Sequence, residues 1–390
     1  MKKKGLIIAL VVTLVAALTL AGCGGTETGG GGEEAGDAVI RIGVYEPMTG
    51  DSAAGGQMTW EGIELANELY PEVLGKKVQL FLEDNKTDKS EAANAVHRLI
   101  EHHNVVAIIG SYGSSMSMAG GPVAQEKGIP VVGCSPTNPL VTLGNDYYFR
   151  VCFIDPFQGR VMAQYAFEDL GADTAVIIRN VADDYAVGLG NYFQEAFVEF
   201  TGSEDSILAV LDYQKGDQDF TAQLTTVKNH NPDVIFAPGL YGDSALMIRQ
   251  ARELGIEQPF LGGDTWEAPE FIEVGGADVE GVVLSTHYSP EATVTDISKE
   301  FVEVYTDKFG KEPNAFAALG FDAYMVILDA IERAGSAEPE AIRDALAATE
   351  NFEGVTGVIT LDVNGDATKS AVILKVENGE FRYLTTVDPN

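Results

Sequence analysis

Apolar and polar positions along this chain follow two periods that trade places every ten to twenty residues. Val39–Tyr45 is short, β-branched and bounded by Pro47 and Gly50, which predicts a strand. Gly56–Tyr70 has helical spacing closed by Pro71, and Lys77–Asp84 returns to alternation. Ser90–His103 reads as a helix, Val105–Gly110 as a buried strand, Met116–Lys127 as a helix closed by Gly128, and Ile129–Gly133 as a strand. The alternation resumes with helix Phe157–Leu170, strand Thr174–Arg179, helix Ala186–Phe200, strand Ile207–Leu211, helix Phe220–His230, strand Asp233–Phe236 and helix Ser244–Leu254. Val282–Thr286 reads as a strand, Ile297–Phe309 and Phe316–Ala334 as long helices. Val358 to Val387 is strand-rich, with turns at Asn364-Gly365 and Asn378-Gly379.

Strands separated by crossover helices imply parallel sheets, and two successive runs imply two α/β lobes. No Pro- or Ser-rich linker separates the runs, so a cleft between joined lobes is expected. In open α/β sheets, ligands sit beyond the carboxyl ends of the strands. Those ends are small and polar here. Gly110-Ser111-Tyr112-Gly113-Ser114-Ser115 precedes a helix, where hydroxyls and free N–H groups suit a carboxylate; the alternative is plain capping by Ser114 or Ser115. Cys134-Ser135-Pro136-Thr137-Asn138-Pro139 is a loop held extended by its two prolines, or an ordinary Pro-rich turn. Asp183-Asp184-Tyr185, Gly239-Leu240-Tyr241-Gly242-Asp243 and Gly262-Gly263-Asp264-Thr265-Trp266 follow strands of the second run. Asp264 offers a carboxylate that could meet an ammonium group, or cap a turn.

The N-terminus changes the compartment. Lys2, Lys3 and Lys4 precede an apolar run from Leu6 to Leu20, too short to span a membrane, and Leu20-Ala21-Gly22-Cys23 ends it. This predicts a signal peptide over residues 1–22 and, by likeness to a bacterial lipobox, cleavage before Cys23 and lipidation of its sulfur. The alternative is an uncleaved anchor helix. Both place the protein outside the cytoplasm, at the bacterial cell membrane. Residues 24–38 hold seven glycines and four acids, so 23–38 reads as lipidated Cys and flexible tether.

Composition excludes more than it selects. The 390 residues are 45% hydrophobic and 22% charged, enough for two ordinary domains. Lys+Arg number 25 against 59 Asp+Glu, a net charge of −34, and −37 once the three leader lysines are removed. Such a surface repels phosphates, so nucleic acid is not an expected partner. Three cysteines exclude a four-cysteine zinc site; Cys134 and Cys152 lie in or near neighbouring strands, and an exported protein permits a disulfide between them. No GxSxG elbow, His-Glu-x-x-His pair, P-loop or dinucleotide fingerprint occurs, and the histidines suggest no metal. Neither enzyme activity nor a cofactor is expected.

The pattern resembles the periplasmic branched-chain (leucine/isoleucine/valine) amino acid binding proteins, the type I solute-binding family of ABC importers, over about residues 39 to 388. The carrying stretches are Ile42-Gly43-Val44 through Met48-Thr49-Gly50, Ile109-Gly110-Ser111 with Ser114, Ser135–Pro139, Tyr148-Phe149-Arg150, Ile248–Ala251, Gly263-Asp264 and Ala317–Ala323. The resemblance implies two Rossmann-like lobes with parallel central sheets joined by a three-strand hinge. Its crossings fall near Ile154, Thr286 and Leu361, giving lobe 1 as 39–154 plus 287–361 and lobe 2 as 155–286 plus 362–390. It implies an amino acid bound between them. Ser114 and Thr137 would hold its carboxylate, the Ser135 carbonyl with Thr137 its ammonium, in a loop that includes Pro136. Tyr185 would close over it and Asp264 would pair with the ammonium.

Three departures touch the side-chain compartment. Asp264 is shorter than the glutamate common in the family, Gly55 stands where many members place an aromatic, and a second tyrosine of lobe 2 aligns with Leu240 or Tyr241. Tyr112, Trp266 and Gly55 are the candidate walls. The expectation is a lipid-anchored receptor that captures a small, aliphatic amino acid and delivers it, as a monomer, to ABC permease subunits. The alternatives are a sensor of the same fold for an amide, urea or aromatic or organic acid, an exported hydrolase using Ser114 or Cys134, and a structural envelope lipoprotein.

Overall fold

The structure, a computed structural model, describes residues 39–389. The signal peptide, Cys23 and the tether to residue 38 lie outside the described residues.

The first sheet takes β1 (Ile40–Glu46), β2 (Glu72–Val73), β3 (Lys76–Asp84), β4 (Ala107–Ile109), β5 (Val131–Gly133) and β6 (Tyr148–Arg150), in the order β2-β3-β1-β4-β5-β6. Every pair is parallel except the short β2-β3 hairpin. Between these strands run α1 (Ala53–Leu69), α2 (Lys89–Glu101) and α3 (Ser114–Lys127). The chain then passes to a second sheet through α4 (Asp155–Gln164). This sheet takes β7 (Ala175–Asn180), β8 (Ile207–Tyr213), β9 (Val234–Phe236), β10 (Phe260–Gly262) and β11 (Val283–Thr286), with α5 (Asp184–Thr201), α6 (Thr221–His230), α7 (Tyr241–Glu253) and α8 (Pro269–Gly275) as connections.

After β11 the chain returns to the first sheet with α9 (Asp296–Phe309), α10 (Ala315–Ala334), α11 (Pro339–Ala347) and a small hairpin, β12 (Phe352–Gly354) with β13 (Gly357–Ile359). It then crosses back to add β14 (Ala371–Glu377) and β15 (Glu380–Val387) antiparallel at the edge of the second sheet, in the order β15-β14-β11-β10-β9-β7-β8. The chain thus passes between the sheets three times, after β6, after β11 and before β14.

Helices on both faces make each central strand buried on both sides, which explains the unbroken apolar runs. Along the first sheet Ile109 and Val132 face one core while Ile108 and Val131 face the other. Along the second, Val176, Ile178 and Ile235 alternate with Ile177, Val234 and Phe236. The first of these second-sheet cores also takes in Ala54, Met58, Tyr112 and Phe316 from the first sheet's elements, so apolar packing continues across the gap.

The structure differs from the periodicity in detail. The helix expected from Phe157 to Leu170 is α-helical only to Gln164 and ends in a wide π turn over Tyr165–Asp169. Short α8 and α11 escape the pattern because each spans only two or three turns. The strand-rich tail resolves into the end of the β12-β13 hairpin, a single antiparallel bridge between Leu361 and Ala367 around Asn364-Gly365, and the β14-β15 hairpin, whose turn at Asn378-Gly379 supplies the two positive φ values such a turn needs.

Candidate functional site

The carboxyl ends of strands from both sheets face one cavity of about 270 Å³. The loops after β1, β3, β4 and β5 line one side, and those after β7, β8, β9 and β10 the other.

On the first side, the wall is built by buried polar groups that fix backbone. Glu46, fully buried at the end of β1, accepts from the Tyr112 N–H at 2.7 Å and so sets the loop that follows β4. Burial pushes the Glu46 carboxyl well above its ordinary value, which suits a site enclosed by apolar strands. The Tyr112 ring then lies over Gly55, where a Cβ would meet it at 2.3 Å, and packs edge-on to Phe316 at 4.8 Å. Tyr112 lines the cavity and Gly55 does not: the glycine makes room for the aromatic wall rather than being a wall.

α3 opens behind Tyr112 with Gly113 as N-cap and no side chain capping its N-terminus. Ser114 and Ser115 both line the cavity. Ser114 Oγ accepts from the Asn138 N–H at 3.2 Å. Ser135 also lines the cavity, and its Oγ donates to the Tyr112 carbonyl at 3.1 Å. The loop from Ser135 to Pro139 is held from below by Arg150, which has no exposed surface. Its Nη1 donates to the carbonyls of Pro136 (2.7 Å) and Asn138 (2.8 Å), its Nη2 to Thr142 Oγ1 (2.7 Å) and its Nε to Asp366 (2.6 Å). Pro136 and Thr137, expected at the ligand, sit within this scaffold and not on the cavity surface; Thr137 is fully buried, with its hydroxyl beside the buried Asp155.

On the second side the centre is Asp264, 2% exposed, on the turn after β10. It accepts from Tyr185 Oη (2.7 Å), Gln158 Nε2 (2.9 Å) and His287 Nε2 (3.2 Å). Burial pushes this carboxyl up, but the hydrogen bonds from His287, Gln158 and Tyr185 hold Asp264 below its ordinary value and ionised at neutral pH. Gly263 permits the arrangement, since a Cβ there would stand 2.1 Å from Tyr185 Oη.

The ambiguity between Leu240 and Tyr241 separates cleanly. Leu240 lines the cavity, while Tyr241 turns to the other lobe and its Oη accepts from the Ala54 N–H at 3.3 Å. Trp266, a candidate wall, is instead a core residue: it has no exposed surface, stacks on Phe271 at 4.9 Å and lies against Gly262. The turn that aims Asp264 at the cavity aims Trp266 away from it. Cys134 and Cys152, considered for a disulfide, are free buried thiols. The β5-β6 register pairs Gly133 with Arg150, which leaves the two cysteines one residue out of step.

Several contacts at the site are not evident in the sequence. Ser115 Oγ lies 2.8 Å from Asp183 Oδ1 and accepts from the Asp184 N–H at 2.9 Å, and Asn138 Nδ2 donates to the Asp184 carbonyl at 2.9 Å. Lys89 pairs with Asp184 at 2.7 Å, and Lys215 reaches the Thr87 carbonyl at 3.1 Å. These bonds tie the two sides of the cavity together around the start of α5. Only the Asp-Asp-Tyr run signals that point in the sequence; Gln158 and His287 carry no local signal.

A sequence profile of the periplasmic binding protein family matches residues 39–380. The crystal structure of a leucine binding protein, LivK, from Thermotoga maritima MSB8 superposes with a TM-score of 0.87 at 48% identity, covering 90% of this chain and 99% of that one. The branched-chain amino acid transporter substrate binding protein LivJ from Streptococcus pneumoniae, solved with isoleucine, superposes with a TM-score of 0.84 at 31% identity, covering 90% and 100%. The Leu/Ile/Val-binding protein homolog 2 of Brucella abortus (strain 2308) is 27% identical over 357 residues, 89% of this chain and 94% of that relative.

Proposed function

The chain belongs to the periplasmic binding protein family, and on that premise we propose that it captures a small aliphatic amino acid between its lobes and presents it to the permease of an ABC importer. The observation that carries the ligand class is the polarity of one small cavity. An ionised, buried Asp264 stands on one side and an uncapped helix N-terminus with Ser114, Ser115 and the Ser135 loop on the other. A zwitterion matches both ends. Its carboxylate meets first-turn N–H groups and serine hydroxyls, which favour an anion without a formal positive charge. Its ammonium meets Asp264, and Tyr185 covers it. Tyr112, Pro47 and Leu240 leave an apolar strip for a short side chain. The volume is below that of cavities which take drug-sized molecules.

The three passages between sheets would serve as the hinge, with lobe 1 as 39–154 plus 287–361 and lobe 2 as 155–286 plus 362–390. Ligand then shifts the population toward the closed form. The N-terminal sequence supports export and anchoring through a lipid on Cys23; radiolabelled fatty acid should enter the parent and not Cys23→Ser.

The deciding experiment is calorimetry with leucine, isoleucine and valine, beside 4-methylpentanoic acid, which lacks only the ammonium of leucine. Tight binding of an amino acid with recovery of the ligand intact, and at least 100-fold weaker binding of the acid, are expected. Equal affinity for acid and amino acid, or turnover of the ligand, would remove this reading.

A further inference from the structure

All three passages between the lobes converge on one imidazole. His287 follows β11 directly, at the start of the second passage. Its ring lies on Phe153, from the first passage, with centroids 3.9 Å apart. Lys369, from the third passage, lines the same small cavity behind it. His287 is 3% exposed, and its Nε2 is 3.2 Å from Asp264 Oδ2. An ionised carboxylate only accepts, so Nε2 carries the proton, and Nδ1 is a buried lone pair without a partner among the described residues.

Building on Asp264 as the ammonium acceptor, we propose that His287 is a positioning residue that ties this carboxylate to the hinge and gives up a proton when the ligand binds. Without ligand, the imidazolium is the charge that can answer Asp264, and acid conditions populate it. The arriving ammonium places a second positive charge on the same carboxylate and expels the imidazole proton to solvent. Ligand therefore binds more tightly to the neutral form, and affinity falls as pH falls through the ligand-free pKa of His287.

The surroundings agree in sign. Burial lowers the imidazole below its ordinary value, Asp264 opposes this, and Lys369 adds to it. Farther along the Asp264 turn, Glu267 is engaged by Thr286 Oγ1 and the Ala315 N–H, and burial raises its carboxyl to about 8. Asp155, on the first passage, is also raised by burial to about 8. Asp243, across the ligand cavity, is raised by burial to about 6 and would add its own pH dependence. A variant at His287 is therefore needed to isolate the imidazole.

The test is calorimetric titration of leucine into the full protein from about pH 5 to about pH 8, in buffers of different ionisation enthalpy, which counts protons released. The parent should release a fraction that rises toward about one at the acid end, with affinity falling up to about tenfold per pH unit there. H287Q keeps an N–H donor without a titrating proton: it should bind more weakly than the parent at about pH 8, and lose that part of the release. H287L should bind more weakly still, by at least about tenfold, because Asp264 loses a donor. Proton release in H287Q equal to the parent, or H287L within about twofold of the parent, overturns the proposal. D264N separates the two readings. If D264N binds leucine like the parent, Asp264 is not the ammonium acceptor; if D264N fails while both His287 variants match the parent, only the role of His287 falls.

Discussion

Two of the buried charged groups around the cavity, Arg150 and Asp264, are answered differently. Arg150 has no exposed surface, and four of its five N–H groups are bonded: one carboxylate, two carbonyls and a hydroxyl accept its protons within 2.8 Å. Asp264 is as deeply buried, but its three partners are a phenol, an amide and an imidazole that burial keeps neutral, and it opens on a cavity. A charge that the fold neutralises holds structure. A charge that the fold only solvates awaits a partner of opposite sign.

Replacing each charge should break the comparison in opposite directions. Arg150→Met strips the carbonyls of Pro136 and Asn138 of their charged donor and leaves the Asp366 carboxylate with only Thr142 Oγ1, so it should lower unfolding stability by about 3–5 kcal/mol in urea titration. Ligand affinity should fall with it, since the loop it supports carries Ser135. A loss below about 1 kcal/mol would mean that the pair is not structural.

Asp264→Ala should do the reverse. Removing an ionised group that only neutral donors support leaves stability within about 1 kcal/mol of the parent, while a charge-assisted bond to the ammonium is worth about 1.5–3 kcal/mol or more. Leucine affinity should therefore drop by about 10- to 100-fold or more, and that of 4-methylpentanoic acid should not. The same logic sets an acid limit. Because the ligand-free carboxyl is already held below its ordinary value, it is ionised above the ordinary carboxylate range, and its contribution to binding is lost only as pH falls below that lowered value. Titration of leucine binding below about pH 4 checks the sign.

Tyr112 forms the aromatic wall of the same cavity as Asp264. Gly55→Ala places a methyl 2.3 Å from the Tyr112 ring, so the ring must swing toward the cavity or the helix must shift. Overpacking of this kind costs about 1–3 kcal/mol, read as a lower thermal midpoint. Affinity should fall more for leucine than for alanine, because the displaced ring takes space from the longer side chain. Equal losses for both would show that the wall does not define the side-chain compartment.

The sequence made the framework and half of each centre legible. Ser114, Ser135, Tyr185 and Asp264 could be found because small, polar stretches interrupt runs of period two, and parallel sheets collect such ends at one edge. The rest depends on directions that spacing does not carry. Trp266 is two residues from Asp264, and a tight turn sends one to the core and the other to the cavity. Leu240 and Tyr241 divide the same way. Gly55 gives no sign of which ring fills the space it leaves. His287 is 23 residues from Asp264, and only the folding of three passages onto one point brings them together.

The smallest expected effect concerns the rim. Lys89 and Asp184 close the cavity edge at 2.7 Å, but their side chains are 51% and 38% exposed. Such pairs contribute about 0.2–1 kcal/mol and are screened by salt. Lys89→Met should thus weaken leucine by no more than about fivefold, mainly through faster release, and the difference from the parent should vanish near 1 M salt. Ser115→Ala loses bonds to Asp183 and to the Asp184 N–H, both half sheltered from water, and its effect should be larger and indifferent to salt. If instead Lys89→Met proved the more damaging of the two, closure would rest on charge at the rim, and the division between groups that hold the fold and groups that hold the ligand would have to extend to the surface.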